Sequence, residues 1–188
     1  MSTSLRGHLL VAASHLRDPN FYRSVVLMLE HSEETAMGLV INRPSSIAVD
    51  AAMLKLKSKP ISGDPIFSGG PVDTSALFIL HNCVELGQQD EEVTAGVFVT
   101  GSNDSFESLV TSDVSCTHKC GFRIYCGYAG WGPGQLEAEI DRSDWRIIPA
   151  DSSLVFEEDP YSLWEVCTQL VHEQHRLLPH DVKNPEWN

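Results

Sequence analysis

The sequence predicts an α+β protein built on a mixed β-sheet. Three observations carry this prediction. Short runs rich in Val, Leu and Ile, separated by polar turns, recur from the N-terminus to Phe156. The runs nearest the N-terminus are apolar without alternation, as strands covered on both faces are. Helical spacing is confined to three segments, and they interrupt about nine strand-like runs in no regular β-α-β order.

Leu9–Ala13, Ser24–Glu30 and Met37–Ile41 read as the first strands. Asn42-Arg43-Pro44 stops the third, because proline cannot continue a ladder. Ser46–Lys59 has helical spacing through Ile47, Ala51 and Leu54, and Pro60 ends it. Ile66-Phe67 is a short strand leading into the Ser68-Gly69-Gly70-Pro71 turn. Leu77–Leu80 and Val97–Thr100 are further strands, with the acidic Gln88–Glu92 as an exposed loop between them. Asp104–Thr111 reads as a short helix capped by Asp104. Phe122–Tyr128 is a strand entering a glycine cluster. Leu136–Ile140 alternates apolar and acidic residues and reads as a half-exposed strand, pairing with Trp145–Ile148. Leu154–Phe156 is the last strand. Asp159-Pro160 signals the start of a C-terminal helix whose apolar face is Leu163, Val166, Cys167, Leu170 and Val171. Residues 1–188 thus read as one domain, with 177–188 a short polar tail.

The 188 residues carry a formal charge of −13. Residues 1–75 are neutral overall, so the whole imbalance lies after residue 75. This argues against a phosphate-tracking surface, and no helix-turn-helix with a basic recognition helix is visible. No apolar run approaches the ~20 residues of a spanning helix, and Met1–Arg6 does not read as a signal peptide. Five cysteines without a secretion signal fit reduced thiols in the cytoplasm.

The densest chemical signal is Gly127-Tyr128-Ala129-Gly130-Trp131-Gly132-Pro133-Gly134-Gln135. Such a loop lets backbone N–H groups line a pocket beside an indole surface, although glycine loops more commonly just join strands. Its G-x-G-x-G spacing is not a dinucleotide fingerprint, and there is no phosphate loop. Asn42 and Arg43 end an expected central strand, where ligands gather in open sheets, and Arg23 precedes the second strand. Arg23, Asn42, Arg43, Gly69, Gly70, Gly130, Trp131, Gly132, Gly134 and Gln135 are therefore the candidate ligand-binding residues. Cys116-x-His118-x-Cys120, with Cys126 beyond, offers zinc ligands or a redox pair, but it lacks the paired C-x-x-C spacing of common zinc sites. No metal or cofactor is expected. Glu137 and Glu139 are the carboxylates an acid–base enzyme would use, and His172 and His175 could share a helix face. No nucleophile elbow accompanies them.

Several segments carry a resemblance to a known family. They are Asp18-x-x-Phe21-x-Arg23-Ser24-Val25-Val26, Met37-Gly38-Leu39-Val40-Ile41-Asn42-Arg43-Pro44, Gly69-Gly70-Pro71-Val72, Leu80-His81 and the run Gly127–Glu137 with Glu139. In these the chain resembles the AlgH/YqgE family of small bacterial proteins, over roughly residues 5–170. The resemblance implies a bifurcated mixed sheet closing into a pseudo-barrel, flanked by helices and ending in a C-terminal helix. It also implies a label, regulator of transcription, but no catalytic residues. The Cys116–Cys126 cluster and the segment after Arg176 depart from the family pattern. The expected function is indirect regulation by a module that binds a small ligand or a partner protein. Direct DNA binding and a nucleotide-handling or hydrolytic enzyme are the alternatives.

Overall fold

Leu9, Leu10, Val11 and Ala12 are all buried, as are Val25 through Leu29. Side chains alternate across a strand, so a continuous apolar run needs cover on both faces. That is the arrangement found. Leu9, Val11, Val25, Leu27 and Leu29 join one core cluster, and Leu10, Ala12, Val26 and Met28 join a second. The computed structural model describes residues 4–45, 65–85, 90–101, 121–157 and 159–177. The expected helices Ser46–Lys59 and Asp104–Thr111, the Cys116, His118 and Cys120 candidates, and nearly all of the expected tail lie outside these residues.

The described strands are β1 (His8–Ala12), β2 (Val25–His31), β3 (Ala36–Val40), β4 (Phe67–Ser68), β5 (Val72–His81), β6 (Glu91–Thr94), β7 (Val97–Thr100), β8 (Phe122–Trp131) and β9 (Trp145–Pro149). The helices are α1 (Gln135–Asp141), α2 (Ser152–Val155) and α3 (Leu163–Leu177). One sheet runs in the order β6-β7-β5-β8-β3-β2-β1-β9, antiparallel throughout, and β4 adds the one parallel pairing among the described strands, to β8. The sheet curls into a half-barrel. Its seam is drawn together by Arg6, whose guanidinium donates to the Leu29 carbonyl, donates to the Glu92 carbonyl at 2.8 Å and pairs with Glu91 at 2.8 Å. Thr94 adds a hydroxyl bond to the Ala150 carbonyl.

Three expectations are corrected. Leu136–Ile140 is not a strand but most of α1, and β9 pairs instead with β1, Leu9 opposite Ile148. Leu154 and Val155 belong to α2, which Asp151 caps by accepting from the Ser153 and Leu154 N–H groups; those bonds, led by the Ser153 hydroxyl, hold its carboxyl below the usual range. The acidic stretch before β7 is not all loop, since Glu91 and Glu92 begin β6. The C-terminal helix is present but starts at Leu163, three residues after Pro160. Asp159 and Pro160 form a turn before it, with the Ser162 N–H donating to the Asp159 carbonyl. Its buried face is Leu163, Trp164, Cys167 and Val171, with Leu170 packed beside them and Val166 exposed. The Trp164 indole donates to the Ala12 carbonyl at 2.8 Å and fastens the helix to the end of β1.

Tyr125, fully buried against Phe67, has a hydroxyl that makes no well-formed hydrogen bond among the described residues, and burial pushes its ionisation well above the ordinary value against the opposing pull of the Arg123 guanidinium. Removing such a hydroxyl breaks no well-formed bond and relieves its desolvation. Tyr125→Phe is expected to leave stability unchanged or raise it by up to ~1 kcal/mol in urea unfolding.

Candidate functional site

The sheet forks at β8. Its last residues pair with β3, Ala36 opposite Trp131 and Gly38 opposite Ala129. Beyond Gly38 the two strands separate, and β4 with the following glycines enters the gap. Gly69 bridges it, accepting from the Val40 N–H at 2.8 Å and donating to the Cys126 carbonyl at 2.8 Å. Ser68 N–H donates to the Arg43 carbonyl. Across β8, strand β5 bulges between Val72 and Leu77, with Asp73 at a positive φ of 37°.

Close approach makes glycine obligatory here. A Cβ on Gly70, whose φ is 152°, would fall 2.2 Å from the Tyr128 carbonyl carbon. A Cβ on Gly127 would fall 2.6 Å from the Gly70 carbonyl oxygen. The fork, the bulge and the loop before β2 enclose a cleft of about 250 Å³ lined by Asn20, Val40, Arg43, Ser68, Gly70, Pro71 and Thr74. Two turns that stand about 26 residues apart in sequence thus share one hollow at a strand end.

Asn42 and Arg43 both brace the loop before β2. The Asn42 carboxamide accepts from the Val25 N–H at 2.9 Å and donates to the Arg23 carbonyl at 3.0 Å, so Asn42 is a buried strut. The Arg43 guanidinium donates to the Pro19 carbonyl at 3.2 Å and the Tyr22 carbonyl at 3.0 Å. Partial burial lowers its pKa from the usual value, and Asp18 opposes that shift. Arg23 lies outside the cleft. It stacks over Trp164 at 5.0 Å and pairs with Glu165 at 3.5 Å, at the start of α3.

Trp131, Gly132, Gly134 and Gln135 form a different assembly at the other end of β3. Glu139 Oε2 accepts from the Trp131 indole at 2.9 Å and the Trp145 indole at 2.8 Å, while Oε1 accepts from Gln135 at 3.0 Å. Gln135 in turn accepts from the Gly132 N–H, and Gly134 caps α1 at a φ of 71°. Phe21 stacks on Trp131 and meets Trp145 edge-on, 6.0 and 5.5 Å between centroids. Gly130 lies in β8 opposite Met37. One loop therefore touches both places: Pro19, Asn20 and Tyr22 at the cleft, Phe21 on the indoles. The carboxylate that holds the two tryptophans was legible only as an acid near them.

The remaining chemical candidates are engaged. Glu137 accepts from His31 Nε2 at 3.1 Å; His31 Nδ1 accepts from the Leu5 N–H, which places the ring proton on Nε2. Glu137 and Glu139 thus do not form a free carboxylate pair. Burial raises the Cys126 thiol and pushes Cys167 up to about 12, away from thiolate chemistry. Sequence reasoning missed a buried pair, His81 Nε2 with Asp90 Oδ2 at 3.0 Å, their side chains 0% and 3% exposed. The ring stacks on Phe98, and its Nδ1 accepts from the Cys83 N–H.

Burial lowers the His81 pKa despite Asp90, so the folded state resists the proton that the unfolded chain takes up. Stability is expected to be full above the unfolded histidine value of about 6.5 and to fall as the pH drops below it. Urea midpoints at pH 7.5 and 5.5 check this: His81→Gln should show the smaller decline.

This geometry can be set beside known proteins. A family model described as AlgH-like matches residues 9–176. The chain belongs to the AlgH-like family. The relatives agree. A UPF0301 protein of Cupriavidus metallidurans is 37% identical over 183 residues, covering 95% of this chain and 94% of its own. One from Idiomarina loihiensis is 36% identical, over 88% and 90%. The solution structure of the AlgH protein of Pseudomonas aeruginosa superimposes with a TM-score of 0.71 at 32% identity, over 96% of this chain and 97% of that one. A Corynebacterium diphtheriae crystal structure at 24% identity and a TM-score of 0.72 shows the same fold. In this AlgH-like chain, no helix among the described residues is long and apolar enough to cross a membrane.

Proposed function

We propose that this AlgH-like protein is a binding module for a small ligand held in the cleft at the sheet fork, and that it regulates indirectly, through that ligand or a partner. The convergence of Arg43 and Gly70 on one hollow, with Asn20, Ser68 and Thr74 around them, carries this reading. The charge of −13 weighs against DNA contact. The partners of Glu137 and Glu139 weigh against acid–base catalysis, because both carboxylates are committed to holding structure. Among the described residues Cys126 and Cys167 are free thiols, which suits the cytoplasm.

Thermal denaturation against a panel of metabolites tests the proposal. A ligand at one hundred times its Kd stabilises the folded state by about 2.7 kcal/mol, a rise of several degrees. At least one class should raise the Tm of the wild type and raise that of Ser68→Ala less. A panel without effect, together with tight binding to duplex DNA at low salt, would favour the direct DNA-binding reading instead.

A further inference from the structure

We propose that the ligand of the fork cleft is a small oxyanion, a phosphate- or carboxylate-bearing molecule. This rests on the cleft being a ligand site and adds its chemistry. Among the described residues lining it, Arg43 is the only charged one and none is a carboxylate. The guanidinium has five N–H donors in a rigid fork that matches oxyanion geometry. Two of them go to the Pro19 and Tyr22 carbonyls, which aim the group and leave donors over. Asn20, Ser68 and Thr74 add side chains that can donate.

Asp18 acts on Arg43 through space. The Asp18 carboxylate already accepts from the Asn20 N–H at 2.7 Å, within its own turn. A half-buried cation with no contacting carboxylate among the described residues gains from an anion that replaces lost water. A cationic ligand would meet like charge here, and an apolar one would strip water from the donors without repaying them.

The global charge does not oppose this. The described residues lining the cleft all fall between 20 and 74, within the part of the chain that is neutral overall. Size narrows the class. A cleft of about 250 Å³ suits phosphate, a small phosphomonoester or a short dicarboxylate. It lies below the ~300–1,000 Å³ of sites for drug-sized ligands.

Calorimetric titration of the full chain tests the assignment, using inorganic phosphate, glycerol 3-phosphate and succinate as oxyanions, glycerol as the neutral probe and choline as the cation. At least one oxyanion should bind at millimolar Kd or tighter, and glycerol and choline should not. Whether the phosphates or succinate bind tighter separates the two sources. Arg43→Gln should weaken binding at least tenfold. Because Arg43 also holds a loop, Thr74→Val is the companion: a several-fold loss at an unchanged Tm supports the site. Choline or glycerol binding in place of the oxyanions overturns the oxyanion class while leaving a ligand cleft standing. Oxyanion binding indifferent to both variants places the anion elsewhere and overturns the proposal. No binding of any probe, with no metabolite raising the Tm, overturns both readings.

Discussion

Gly70→Ala is expected to destabilise the protein by about 3–5 kcal/mol. The added Cβ would lie 2.2 Å from the Tyr128 carbonyl carbon, 2.3 Å from its oxygen and 2.4 Å from the Ala129 nitrogen. These are backbone atoms of β8, so no side chain can rotate away. The φ of 152° adds strain for any L-residue. Relief requires the turn to lift out of the fork, which would break the Gly69 bridge between Val40 and Cys126. A domain of ordinary stability holds roughly 5–15 kcal/mol in all, so much of it would go. Urea unfolding measures the cost. A loss below about 1 kcal/mol would mean that the turn is not wedged as described.

Glu139→Ala is expected to cost about 2–4 kcal/mol. It leaves the Trp131 and Trp145 indole N–H groups, on side chains 4% and 2% exposed, without their acceptor. An unmade bond at a buried donor carries the full desolvation cost, whereas a made one yields only a modest net gain. Glu139→Gln keeps one oxygen and should lose roughly half as much. Both variants should shift tryptophan emission, since Phe21, Trp131 and Trp145 pack as one aromatic group. Equal stability of wild type and Glu139→Ala would show that the carboxylate is not what holds the indoles.

The strands that form the two core faces were legible because both faces are covered, which leaves unbroken apolar runs at β1, β2 and β3. Helix α1 was not. Leu136, Ala138 and Ile140 alternate with Glu137 and Glu139, which reads as period two. Leu136 and Ile140 are also four apart, so in a two-turn helix they share one face, and both meet the second core cluster. Seven residues cannot separate these periods, and the deciding partners lie outside the segment: His31 is far away in sequence, and the two indoles sit on the flanking strands. For α2, the Asp151-Ser152-Ser153 cap signal was present but was outweighed by Leu154, Val155 and Phe156.

The candidate residues sorted by position along β3. Arg43 and Gly70 meet at one end, beside Gly69 and over the loop that Asn42 braces. Trp131, Gly132, Gly134 and Gln135 gather at the other, where a carboxylate ties the indoles down. A glycine-rich loop signals close approach or unusual backbone angles, and both serve packing here. The Gly127–Glu137 run therefore covers two structural tasks, and of its two ends it is the fork that borders a cleft.

Amide chemical-shift mapping with inorganic phosphate tests the central claim most directly. Shifts should concentrate at Asn20, Arg43, Ser68, Gly70 and Thr74, extend along the loop to Phe21, and be lost in Arg43→Gln. Shifts confined to Trp131–Gln135 or scattered over the surface would contradict the assignment of the cleft.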